Sequence, residues 1–74
     1  MFVIEIKYFL NGKKINLKDC PTEIEVEEGN PKDVTPLQVA RLILDHVDEE
    51  KKFELENLST KEIFRITYEA KYYH

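Results

Sequence analysis

An α+β fold, with an antiparallel-dominated sheet of four or five strands and one helix packed on one face, follows from three features of the sequence. Residues 2–10 alternate apolar and polar side chains, an Asn11-Gly12 turn follows at once, and residues 35–52 carry apolar side chains at helical spacing behind a complete start signal. The 74 residues, 42% hydrophobic and 35% charged, fit one small globular domain spanning 1–74.

The first strand sets Phe2, Ile4, Ile6, Tyr8 and Leu10 on one face and Val3, Glu5, Lys7 and Phe9 on the other. Asn-Gly suits a type I′ turn, which needs positive φ at both central residues. A two-residue turn then fixes the hairpin register. Leu10 faces Lys13, Tyr8 faces Ile15 and Ile6 faces Leu17, while Lys7 meets Asn16 and Glu5 meets Lys18 on the opposite face. Cys20-Pro21 ends the second strand, because proline has no N–H to give a central ladder. In TEIEVEE, Ile24 and Val26 point inward and Glu23, Glu25 and Glu27 outward, which makes a short third strand or an extension of the second; EEGNPKD reads as loop.

The helix start is marked by Thr35 as N-cap, Pro36 at the first helical position and Gln38 closing a capping box, with Val34 and Val39 as a hydrophobic staple. The pattern predicts one helix to about Lys52, with Lys51 and Lys52 at the negative end of its dipole. After it, FELEN reads as a short strand. Residues 62–73 read as a long one, in which Phe64, Ile66, Tyr68, Ala70 and Tyr72 alternate with Arg65, Thr67, Glu69 and Lys71. Ser59-Thr60-Lys61-Glu62 also has the capping-box pattern and would open a second helix. That helix would interleave Thr67 and Lys71 with the apolar residues, whereas a strand separates the two classes. The order hairpin, helix, strands resembles a β-grasp, or ubiquitin-like, arrangement. The end of the chain, KYYH, lacks the paired glycines of a ubiquitin-like carrier, so the resemblance does not imply conjugation.

The helix is wider on its apolar side than a small sheet requires. With Leu37 at 0° and about 100° per residue, its apolar side chains span about 220°, against a little over 100° for a core-facing stripe. The excess is expected toward Leu42 and Val39, with His46 inside it. Either the EEGNPKDV loop covers that flank, or the flank is a contact surface.

Composition narrows the function. A net charge of −4 gains no counterion-release affinity for a phosphate backbone, so nucleic acid is not an expected partner. No run approaches the roughly 18–20 apolar residues of a membrane span, and the start MFVIEIKYFLNGKK lacks a basic leader and a small-residue cleavage site. The lone Cys20 excludes an internal disulfide and agrees with a reducing compartment. A soluble, cytoplasmic protein without membrane contact is expected. There is no Gly-rich phosphate loop, no His-x-x-x-His and no nucleophile with a nearby His, so no catalytic residue, metal or cofactor is expected, and the chain is not read as an enzyme. Glu23, Glu25 and Glu27 lie about 6.6 Å apart along a strand, while calcium needs oxygens within about 2.6 Å. His46 and His74 form no recognisable metal pair. Cys20 reads as structural, since Asp19 and Pro21 offer no cation to activate it.

The function expected is therefore a small non-enzymatic protein-binding module, a regulator, inhibitor or accessory subunit, that docks by a helix edge or an exposed sheet surface. The candidate interface residues are Val39, Leu42 and His46 on the helix and Tyr68, Tyr72 and Tyr73 in the last strand, tyrosine being favoured at interfaces. The expected partner is another protein or a second copy of the chain. The alternative is an acidic inhibitor that presents Glu23, Glu25, Glu27 and Glu28 in place of phosphates to a nucleic-acid-binding protein.

Overall fold

The computed structural model describes residues 1–61 and 63–72, with only the backbone of Lys61. Strand β1 (Phe2–Leu10) is the centre of a four-stranded antiparallel sheet with β2 (Lys13–Ile15), β3 (Glu23–Val26) and β4 (Phe64–Tyr72). Asn11 and Gly12, at φ 52° and 85°, make the turn, and Tyr8 faces Ile15, Phe9 faces Lys14 and Leu10 faces Lys13, as a two-residue turn requires. β2 stops at Ile15, so the expected pairings of Ile6 with Leu17 and Glu5 with Lys18 do not form. Glu5 instead lies between Glu23 and Glu69 and pairs with Lys71. An uninterrupted strand would bring Asp19 opposite Ile4, but Ile24 stands there, so five residues are looped out of the edge. Asp19 takes a left-handed φ of 63° and Pro21 has no N–H, which breaks the ladder, while Leu17 and Cys20 turn onto the core.

β4 runs antiparallel to β1 over all nine residues, from Tyr72 opposite Phe2 to Phe64 opposite Leu10. Residues 64–72 therefore take the strand reading, not the helical one. A strand has two edges, so β2 and β3 share the other edge of β1, end to end. The backbone bonds agree. The Asn11 N–H donates to the Ile63 carbonyl at 2.8 Å, and the Ile6 N–H donates to the Thr22 carbonyl at 2.8 Å. Antiparallel pairing alternates, so odd-numbered residues of β1 bond toward β4 and even-numbered ones toward β2 and β3. The sheet is three strands wide, and β4 is its long edge.

Helix α1 (Pro36–Asp45) begins with the expected capping box: Thr35 Oγ1 accepts from the Gln38 N–H at 3.2 Å, and Gln38 Oε1 accepts from the Thr35 N–H at 3.0 Å. The one helix expected to reach Lys52 is two. His46 closes α1, and α2 (Glu49–Lys61) starts afresh at Asp48, whose carboxylate accepts from the Lys51 N–H at 2.8 Å. Glu49 and Glu50 complement the positive end of its dipole, and Lys51 pairs with Glu54 and Lys52 with Glu49 at three-residue spacing. FELEN lies inside α2, not in a strand. On a helix Phe53 and Leu55 point about 200° apart, so Leu55 is buried while Phe53 is 67% exposed. Ser59 and Thr60 end this helix and return their hydroxyls to the Glu56 and Asn57 carbonyls, so they cap no new one. With two helices between the third and fourth strands, the β-grasp order is not reproduced.

The core lies between sheet and helices, where Ile4, Ile6 and Tyr8 of β1 meet Ile24 of β3, Val39 and Ile43 of α1 and Leu55 of α2. Among the described residues no helix is long and apolar enough to cross a membrane.

Candidate functional site

The helix-edge residues separate. Val39 is 2% exposed and belongs to the core, so it is not open to a partner. Leu42 packs against that core and shares a hollow with Gly29, Asn30 and Val34, which places the loop over this flank. His46 is exposed, with Nδ1 2.7 Å from the Leu42 carbonyl. On this side Val39 is taken up by the core and Leu42 is half-buried beside the loop, while His46 stays exposed. The uncovered apolar flank is the opposite one: Leu37 is 63% exposed and Leu44 40%. Helix α1 turns the direction between Val39 and Ile43 to the sheet, which leaves the Leu37–Leu44 row outside the stripe.

The tyrosines also separate. Tyr68 is half-buried and its hydroxyl donates to the Val34 carbonyl at 3.2 Å, holding the covering loop against the sheet. Tyr72 is exposed at the end of β4, and Tyr73 lies outside the described residues, as does His74. Glu23 and Glu25 point outward from β3, and Glu27 and Glu28 are exposed in the following loop. Across the uncovered face of the sheet, Glu23, Glu5 and Glu69 form a row, since Glu5 is opposite both of the others. Lys71 offsets it by bonding Glu5, and this pair holds the Glu5 carboxyl below its ordinary value. Lys7, Lys14 and Arg65 make the other half of this face basic, around Phe9.

Two features that the sequence reading did not single out lie side by side at β4. The first is its free edge. Because Arg65, Thr67, Glu69 and Lys71 sit opposite odd-numbered residues of β1, their backbone groups bond inward, and those of Phe64, Ile66, Tyr68, Ala70 and Tyr72 point away from the sheet. Among the described residues no strand pairs with that side. β4 holds no proline and no bulge, the usual devices that blunt an edge. The opposite edge of the sheet is blunted, since β2 and β3 are short and the five-residue excursion divides them. The second feature is a groove of about 690 Å³ between α1, α2 and β4, walled by Ala40, Leu44 and Leu55 and floored by Phe64 and Ile66. The exposed Leu44 thus borders the groove. Counting the partners of each strand locates such an edge, but that count needs the pairing and not the sequence alone.

Among the described residues no group of three or more His, Cys, Asp or Glu side chains could hold a metal ion. Burial pushes the Cys20 thiol up, and nearby Lys51 only partly opposes this, which leaves the thiol unactivated. Burial likewise raises the Tyr8 phenol to about 12, and its hydroxyl donates to the Pro21 carbonyl at 2.5 Å, pinning the excursion to the central strand. Comparison of the chain with family models, with curated proteins and with solved structures gives no match.

Proposed function

We propose that the chain is a small non-enzymatic protein-binding module, a regulator, inhibitor or accessory subunit, that docks another polypeptide along β4. The nine-residue edge carries this reading. Its outward N–H and C=O groups can accept an added strand, which gives affinity through the backbone, and the apolar groove beside it can take side chains that give specificity. The second reading, an acidic nucleic-acid mimic, draws on the Glu23, Glu5, Glu69 row with Glu25, Glu27 and Glu28. It ranks below because Lys71, opposite the neighbouring Val3, pairs with Glu5 at the centre of the row, and half of that face is basic.

The test uses Ala70→Pro. The Ala70 N–H points outward, so proline there leaves the bonds to β1 in place and removes a donor from the free edge. Tagged wild type and Ala70→Pro are used as baits in extract of the native host. The reading expects polypeptides held by wild type and lost with a folded Ala70→Pro. Identical captures by the two baits would refute it, and captures released from both by moderate salt would favour the acidic reading.

A further inference from the structure

We propose that the polypeptide accepted by the β4 edge is a second copy of this chain, paired antiparallel about a two-fold axis at Thr67; this rests on the reading of β4 as the docking edge. The order of charges along the strand supports it. On the uncovered face β4 carries Arg65, Thr67, Glu69 and Lys71 in turn. When Thr67 stands opposite Thr67 of the second copy, Arg65 of each copy meets Glu69 of the other. Both pairs form at once, because a two-fold contact repeats every interaction. On the inner face Ile66 meets Tyr68 and Phe64 meets Ala70, apolar against apolar or aromatic.

The backbone fits the same register. The outward groups of β4 belong to its even-numbered residues, so Ile66–Tyr68 and Phe64–Ala70 become the hydrogen-bonded pairs. Thr67–Thr67 and Arg65–Glu69 become the non-hydrogen-bonded pairs, whose Cα atoms approach to about 4.5 Å and whose side chains are closest. Moving the second copy by two residues brings Arg65 opposite Lys71 and loses the match. Within one copy neither charge has an ion pair: Arg65 lies across from Phe9, Glu69 lies across from the like-charged Glu5 and acts on Lys71 only through space, and the ion pairs among the described residues include neither. The product is one continuous sheet six strands wide, with both groove floors extended by Tyr68 of the other copy.

Purified protein alone tests this, measured by sedimentation with circular dichroism to confirm folding. Wild type is expected at twice 8.8 kDa, and Thr67→Lys, which sets two ammonium groups face to face on an exposed site, at 8.8 kDa. Arg65→Glu and Glu69→Arg are each expected as monomers, and the double variant as a dimer again. Thr67→Cys should form a disulfide-linked dimer under mild oxidation while Glu69→Cys does not, since only position 67 meets itself and a disulfide needs Cα atoms within about 7 Å. A wild type that stays monomeric up to about 1 mM overturns the proposal, and does so without touching the docking reading if Ala70→Pro still loses host captures. A dimer insensitive to Thr67→Lys overturns the use of β4, and failure of the double variant to recover overturns the register.

Discussion

Replacing Ile43 by alanine and, separately, Leu37 by alanine measures which side of α1 holds the molecule together. Both are large aliphatic residues on the same helix, but Ile43 is 2% exposed and Leu37 is 63% exposed. Ile43→Ala removes three carbon atoms from the layer between α1 and β1. At about 0.8 kcal/mol per buried methylene this forfeits about 2.4 kcal/mol of transfer free energy, and the cavity left behind brings the cost to between about 2 and 5 kcal/mol. At roughly 0.05–0.15 kcal/mol per residue the whole domain has about 4–11 kcal/mol, so Ile43→Ala removes a large share of it. Leu37→Ala removes side-chain area that is mostly wet already, and alanine's higher helix propensity offsets what is lost, so its effect stays within about 0.5 kcal/mol. Guanidinium melts followed by circular dichroism give both values. Equal costs, or a larger cost for Leu37, would mean that α1 is rotated about its axis from the orientation described and that the uncovered flank is not the Leu37–Leu44 row.

Three further outcomes follow from single contacts. Thr35→Ala should cost about 1 kcal/mol, because the Gln38 N–H loses its side-chain acceptor at the start of α1; an unchanged denaturation midpoint would remove Thr35 as the cap. Gly12 has φ 85° and open space around its Cα, so Gly12→Val should cost about 1–2 kcal/mol from conformation alone and Gly12→Asn much less; equal costs would contradict the turn. The Tyr8 phenol keeps its proton more tightly in the fold than in the unfolded chain. Its contribution is therefore complete below pH 10 and lost as pH rises toward about 12, on the order of 2 kcal/mol. Tyr8→Phe should cost about 1 kcal/mol at neutral pH and flatten that alkaline loss, which paired melts from pH 8 to 12 can read.

The elements that were legible in the sequence are those specified by local chemistry. Asn11-Gly12 can satisfy its turn with its own backbone, and Thr35 with Gln38 closes a capping box over four residues, so neither needs knowledge of the rest of the chain. The second helix shows where local pattern is ambiguous. Phe53-Glu54-Leu55 alternates like a strand, yet the surrounding Glu, Lys and Leu residues favour helix, and the Asp48 cap with Glu49 and Glu50 behind it marks a fresh start. A strand would set Phe53 and Leu55 on one face, whereas a helix turns them about 200° apart. Apolar width likewise showed that α1 had surface to spare, but the flank expected to be spare, toward Leu42 and Val39, is not the uncovered one, because the sheet can meet either edge of a stripe about 220° wide. The β4 edge was least accessible. Alternation identifies a strand and its two faces, but whether an edge is paired depends on where every other strand goes, and here β2 and β3 both settle on the far side of β1.

Amide exchange along β4, residue by residue by NMR, tests that arrangement most directly. In dilute protein alternation is expected: the N–H groups of Arg65, Thr67, Glu69 and Lys71, bonded to β1, exchange slowly, while those of Ile66, Tyr68 and Ala70 exchange fast and gain protection as the concentration rises. Equal protection of both sets in protein that sedimentation shows to be monomeric would contradict it, since the edge would then already be covered within a single copy.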